Sequence, residues 1–401
     1  MDRETLALIW FIILAVLLTG YAILDGFDLR VGILHPFVAR ADEQRRLVMN
    51  SIGPLWDGNE VWLVTFEGAL FAAFPEAYAT VFSSFYLAFM LLLCALIARA
   101  VSLEFRSKVT SPSWRRIWDG LFFLGSALAT FLFGLAVGNL MLGLELDANF
   151  EFQGNLAQLL NPFSIATGIL SLLAFALHGS SFLHLKTEGE LQQSLRPVMW
   201  KLYVVFAIGF VMISIWTATT IPRATETLNQ YPLLWIVPIL NVLALLNISR
   251  TLYRRQEAAA FASSSCMIAA FVFLFITALH PFLVPASNNA SHSLTIVTAA
   301  SSQTTLTIML WIAIIGMPCV LTYSAIIYWS FGVRHAGAAH AAIIQNLVPL
   351  VAVIAAWVVR GELITTPQLI GGTLIIGGLV IMRSTRSAKP ASTNSKSHQP
   401  R

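Results

Sequence analysis

Apolar stretches of about 20 residues recur along this chain, the length an α-helix needs to cross a hydrocarbon core about 30 Å thick. They lie near residues 6–27, 56–74, 77–100, 117–143, 162–184, 199–220, 232–249, 258–283, 303–331, 337–359 and 367–383. Within lipid a backbone must satisfy its own polar groups, and continuous runs of this length do so as helices. The chain is therefore expected to be an all-α polytopic membrane protein with about eleven transmembrane helices. Its composition agrees, at 57% hydrophobic and 11% charged, with a mean hydropathy of +0.75, more apolar than filling a soluble core requires. A pI near 9.1 could suggest nucleic acid. The basic residues, however, sit in short clusters between apolar runs, where topology accounts for them.

The connecting segments alternate in charge. "ARADEQRR", "RSKVTSPSWRR", "LKTEGELQQSLRPVMWK" and "SRTLYRRQE" are basic, whereas "ELDANFEFQGN" and "HPFLVPASNNASHSL" carry no Lys or Arg. Basic loops belong in the cytoplasm. Placing the N-terminus outside leaves Arg3, Arg223 and Arg360 as the only outer cations of the 24, and an odd number of spans then brings the C-terminus to the cytoplasm. Asp2, Arg3 and Glu4 do not make the positive flank of a signal peptide, so the first run is expected to be a retained span. Cys94, Cys266 and Cys319 stand singly in apolar runs, without the spacing of a disulfide, zinc or c-type haem motif. Residues 385–401 are polar and Ser-rich and read as a disordered cytoplasmic tail.

Within the second run, "WDGNEVWLVTFEGALFAAFP" contains Asp57, Glu60 and Glu67. At about 100° per residue the three fall within about 80° of arc, and Asp57 to Glu67 rises about 15 Å. The stripe thus runs from the cytoplasmic surface to roughly mid-bilayer, the form of an inward path. "GYAILDGFDLR" sets Asp25 and Asp28 one turn apart near the cytoplasmic end of the first span, and Glu104 and Asp119 flank the next basic loop. Boundary acids also cap helices or pair with neighbours, as Asp28 could with Arg30 and Asp119 with Arg116. Glu67 differs, because an ionised carboxylate at mid-bilayer costs about 2.5–3.5 kcal/mol and marks a pathway or a partner-facing site; its alternative is a neutral acid bonded to a neighbouring helix. Carboxylates suit proton relay because burial and nearby cations can grade their affinities. Of the eight histidines only His178 sits well inside a span. Haem ligation is conceivable there, but a lone intramembrane His more often bonds one helix to another.

These residues take a recognisable form. "GYAILDGFDL", "NSIGPLWDGNEVWL", "GALFAAFPEAY", "EFRSK", "FGLAVGNLMLG", "LLNPFSIATG" and "SLTIVTAASSQTTLTIMLWIAIIGMP", in that order over about residues 5–330, resemble subunit II of the cytochrome bd quinol oxidases. The resemblance implies nine helices over residues 1–331, largely two four-helix bundles, in a bacterial inner membrane beside a subunit I that carries haems b and d and the quinol site. Subunit II would then bind no haem or metal itself. It would support the complex, with room for a structural quinone and small accessory subunits, and contribute acids to proton uptake from the cytoplasm. Asp25 and Asp57 match the family's acidic positions, Glu104 falls where the family has an acid, and Trp56 belongs to the same motif, with Asp28 and Glu60 beside it.

Two departures stand out. Arg30 replaces the family's usual Gly after "GFDL", where it could tie up Asp25 or Asp28 in an ion pair, and Glu67 replaces a commonly small residue. Residues 332–384, with "NLVPL", a "GE" turn and a Gly-rich final run, resemble the last two helices of drug/metabolite (EamA-type) transporters, and are expected to be a packing appendage. The alternatives for the whole chain are a proton-coupled small-molecule transporter and a purely structural assembly subunit.

Overall fold

The computed structural model describes residues 1–332, which form thirteen α-helices and one small hairpin. In chain order these are α1 (Arg3–Val38), α2 (Asp42–Asn50), α3 (Trp56–Ala73), α4 (Pro75–Ser84), α5 (Tyr86–Phe105), α6 (Pro112–Leu142), α7 (Leu156–Leu159), α8 (Pro162–Lys186), α9 (Gly189–Thr220), α10 (Arg223–Gln230), α11 (Ile236–Arg254), α12 (Glu257–Leu279) and α13 (Gln303–Gly332). Strand β1 (Phe282–Val284) pairs antiparallel with β2 (Leu294–Thr295) in the segment before α13. The chain divides into two compact units, Met1–Pro318 and Cys319–Arg401. Of the second, only the end of α13 lies within the described residues; the transporter-like runs 337–359 and 367–383 and the tail fall outside them.

Among the described residues eight helices are long and apolar enough to cross a membrane, so the chain is a polytopic helical membrane protein. The remaining expected span, α3, packs on α1 but carries three acids in its 18 residues. Two boundaries differ from the sequence reading. The run 77–100 is broken: the chain leaves α3 at Phe74, makes the short α4 with Pro75 in its first turn, and restarts at Tyr86. Pro75 lacks an N–H and its ring clashes with the carbonyl four residues back, so α3 cannot continue through it. Helix α1 is 36 residues rather than 22, about 54 Å at 1.5 Å per residue. Asp25 and Asp28 therefore lie well inside a helix, not near its end.

Helix contacts fall into two groups. In the first, α1 packs on α3 and α6, and α6 on α5; in the second, α8 packs on α9 and α12, and α12 on α11. The groups meet where α1 and α6 lie against α8. Small residues permit the closest of these approaches: a β-carbon at Gly134 would collide with Ser171, and one at Gly138 with Ser164 and Thr167. The second group's interior is apolar, built from Leu177, Met199, Phe206, Ile248 and Met267. The first group has an apolar core of its own, with Trp10, Leu14, Leu92, Ala129 and Leu132, but it also buries a cluster of charges.

Candidate functional site: a buried charge cluster between three helices

The first group buries Asp25, Asp28 and Arg30 on α1, Asn59 on α3 and Arg99 on α5. Arg99 is completely buried and donates through Nη1 to Glu60 Oε1 at 2.6 Å and through Nη2 to Asp25 Oδ1 at 3.2 Å. One guanidinium thus joins two carboxylates from different helices, a use of its planar fork that a lysine could not copy. Asn59 Nδ2 donates to Asp28 Oδ2 at 2.6 Å and to the Leu24 carbonyl at 3.3 Å. Asp25 and Asp28 share a face of α1 because three residues separate them. Asn59 and Glu60 are adjacent on α3, so one turn of that helix serves both acids.

Arg30 makes neither of the ion pairs expected of it. Its guanidinium lies over the Phe175 ring of α8, 4.0 Å from the centroid, and none of its three nitrogens has a hydrogen-bond partner among the described residues. Asp25 Oδ2, Asp28 Oδ1 and Arg99 Nε are also buried without one. Six buried polar atoms on four residues therefore lack a partner among the described residues.

The other sequence candidates surround this cluster rather than enter it. Asp57 is exposed in the first turn of α3, with Trp56 half-buried beside it. Glu67 is half-buried, about 10 Å along the axis from Glu60, and has no hydrogen bond or ion pair among the described residues. Glu104 is exposed near the end of α5. Asp119 pairs not with Arg116 but with Arg45, at 2.7 Å, and with Arg106, while His35 Nε2 lies 3.4 Å away. Arg106 also reaches Asp42 Oδ1 and Arg115 reaches Asp42 Oδ2, each at 2.8 Å. This network clamps the ends of α1, α2, α5 and α6 at the basic-loop side. Asp42, outside the spanning helices, has its carboxyl held below the usual range by the hydrogen bond from Arg106.

Arg99 and Asn59 were missed in the sequence. A lone arginine within the apolar run 77–100 was itself a signal, since an intramembrane cation requires an acid opposite. His178 is buried on α8, with Nε2 3.2 Å from the Ile23 carbonyl and Nδ1 2.6 Å from Ser264 Oγ. A carbonyl only accepts, so Nε2 carries the proton and Nδ1 faces the hydroxyl. Each ring nitrogen thus has a hydrogen-bond neighbour on another helix. Among the described residues no group of three or more His, Cys, Asp or Glu is placed to hold a metal ion.

Residues 6–331 match the family model described as cytochrome bd terminal oxidase subunit II. The chain belongs to that family. It is 36% identical over 358 residues to the cytochrome bd-I ubiquinol oxidase subunit 2 of Escherichia coli (strain K12), covering 82% of this chain and 94% of that protein. To the cytochrome bd ubiquinol oxidase subunit 2 of Bacillus subtilis (strain 168) it is 33% identical over 329 residues, covering 81% and 96%. The solved bd oxidase of Geobacillus thermodenitrificans has a chain of the same fold, with a TM-score of 0.68 at 16% identity over 82% of this chain and 98% of that one. As a bd oxidase subunit II, this chain is one component of an oxidoreductase complex.

Proposed function

We propose that this chain is the haem-free subunit of a cytochrome bd-type quinol:oxygen oxidoreductase, and that its carboxylates take up protons from the cytoplasm for oxygen reduction in a haem-bearing subunit I. Reducing one O2 to two waters consumes four protons along with four electrons. The partner's haems supply the electron transfer; this chain's residues hold and pass protons. Asp57, exposed at the head of α3, is the entry. The half-buried Glu60 with the buried Asp25 and Asp28 forms the relay, with Trp56 beside Asp57 at the head of α3, Glu67 a further acceptor along α3, and Glu104 an acid on the same basic-loop side.

The observation that carries this reading is the set of unsatisfied atoms on Asp25, Asp28, Arg30 and Arg99. Leaving such groups unpaired costs about 1–3 kcal/mol each, more when charged, and a buried ordered water satisfies them at much lower cost. Water among these helices would link carboxylates that are not in direct contact. Arg99 keeps Asp25 and Glu60 facing that space while supplying the counter-charge without which burial would be prohibitive.

His178 supports a haem-free chain, since its two ring nitrogens tie α8 to α1 and α12. A structural quinone, small accessory subunits and a bacterial inner membrane complete the family's picture. The test is steady-state quinol oxidase turnover of the assembled complex bearing Asp57→Asn or Glu67→Gln. The reading expects lower turnover and an altered pH profile. Unchanged turnover and profile in both would leave a purely structural subunit.

A further inference from the structure

A cavity of about 550 Å³, open on one side, lies at the far end of the second helix group, where α8 turns into α9 and α11 into α12. Its walls carry Arg196, Arg255, His184 and Gln192, and Met199 and Leu252 give it an apolar floor. The ends concerned belong to the segments "LKTEGELQQSLRPVMWK" and "SRTLYRRQE", both basic. They lie on the same side as the Asp42–Arg106 clamp, because α6 runs antiparallel both to α1, where Gly32 meets Ser126 and Tyr21 meets Phe133, and to α8, where Gly134 meets Ser171 and Gly138 meets Ser164, so α1 and α8 point the same way.

The polar groups here are only partly used, Gln192 donating through Nε2 to the His184 carbonyl at 3.0 Å. Arg196 spends one Nη2–H on the Leu252 carbonyl at 3.2 Å and makes no other hydrogen bond among the described residues. Arg255 makes none with its side chain, and its backbone is left-handed (φ 56°, ψ 44°) at the end of α11, where glycine or asparagine is the usual occupant. His184 Nδ1 is buried without a partner. One acid, Glu257, shares the lining, yet it forms no ion pair with either arginine among the described residues. Two guanidiniums beside a concave apolar floor, at the end of membrane helices, match the chemistry that captures phosphate: forked, charge-assisted donors for the oxygens and a greasy surface for what the phosphate is attached to.

We propose that this cavity binds a phosphate group, carried by an anionic lipid headgroup or by a small soluble phosphate, with Arg196 and Arg255 as its ligands and His184 and Gln192 as further donors. The site does not depend on the proton-uptake reading.

The test uses the intact oxidase complex in lipid nanodiscs and reads its Tm. In one arm the disc is phosphatidylcholine alone and inorganic phosphate is titrated; in the other, phosphatidylglycerol replaces an increasing share of the phosphatidylcholine. Wild type is expected to gain Tm in at least one arm. A gain confined to the second arm identifies a lipid headgroup, and a gain with inorganic phosphate identifies a soluble ligand. Arg255→Gln should raise the concentration needed for half the effect by about tenfold, the worth of a charge-assisted hydrogen bond. Arg196→Gln should do the same. If the Arg196 variant fails to assemble, Arg255→Gln decides, because Arg255 is exposed and bonds nothing in the fold. No gain in either arm, or equal gains in wild type and Arg255→Gln, would overturn the proposal.

Discussion

The two helix groups pack by similar means and differ in what they enclose. Around α8, α9, α11 and α12 the interior is Leu, Met, Ile and Phe, with His178 satisfied on both ring nitrogens. Around α1, α3, α5 and α6 a fully buried guanidinium holds two carboxylates, and polar atoms beside it lack protein partners. Apolar filling is available to any membrane bundle, since lipid-like side chains need no partner. A charged interior is not, because each ion must be compensated. The contrast therefore locates function: the second group shows what packing alone requires, and the excess chemistry of the first is what has to be explained.

Removing the compensating charge should break this contrast most severely. Arg99→Leu leaves Asp25 and Glu60 without their shared cation and is expected to cost about 3–5 kcal/mol, seen as a fall in the Tm of the complex or failure to assemble. Adding Asp25→Asn and Glu60→Gln to it should restore much of the loss. In the apolar group, Met267→Ala should cost about 2–3 kcal/mol through the cavity it opens. Its turnover per assembled complex and its pH profile should stay as in wild type, and a shifted profile would blur the division between the groups.

Arg30 sharpens the comparison in the other direction. Were its surroundings dry, Arg30→Met would be neutral or stabilising by about 1–4 kcal/mol, as for other buried charges replaced by apolar side chains. The hydrated-cluster reading expects the opposite sign, a lower Tm for Arg30→Met. Thermal unfolding of the variant complex separates the two. The smallest effect belongs to the clamp at the helix ends. Asp42 has a folded pKa below its ordinary value of 3.8, so its contribution is fully present above about pH 4 and fades as acid titrates it through that lower value. Its side chain is 42% exposed, which limits the pair to under about 1 kcal/mol. Asp42→Asn should lower the Tm slightly at neutral pH and make no difference at pH values where the acid is already protonated.

Much of this was legible in the sequence. The spans announced themselves because lipid demands unbroken apolar length; against that background the sequence put the weight on Asp25, Asp57, Glu104 and Glu67, and only beside them on Asp28 and Glu60, which share the cluster with Asp25. Arg99 was equally visible as a charge in a span, but reading its meaning required knowing that α5 lies beside α1 and α3. Neighbour choice is a property of the packed bundle. The same gap misassigned Arg30 and Asp119, whose local partners in sequence lost to distant ones in space. Helix length failed where composition turned mixed: "DLRVGILHPFV" continues α1 for several more turns because its polar members are buried against other helices, not released to water.

What most needs proof is that the buried Asp25 and Asp28 on α1, with the half-buried Glu60 on α3, carry protons consumed at the partner's oxygen-reducing site. It is tested most directly by a single turnover. Fully reduced complex in proteoliposomes is mixed with oxygen while a trapped or external dye follows hydrogen ions on the basic-loop side. For Asp25→Asn the account predicts oxygen binding at the wild-type rate and hydrogen-ion uptake slowed by about a hundredfold, the scale of losing one positioned proton-transfer group. Uptake at the wild-type rate in an assembled Asp25→Asn complex would contradict it.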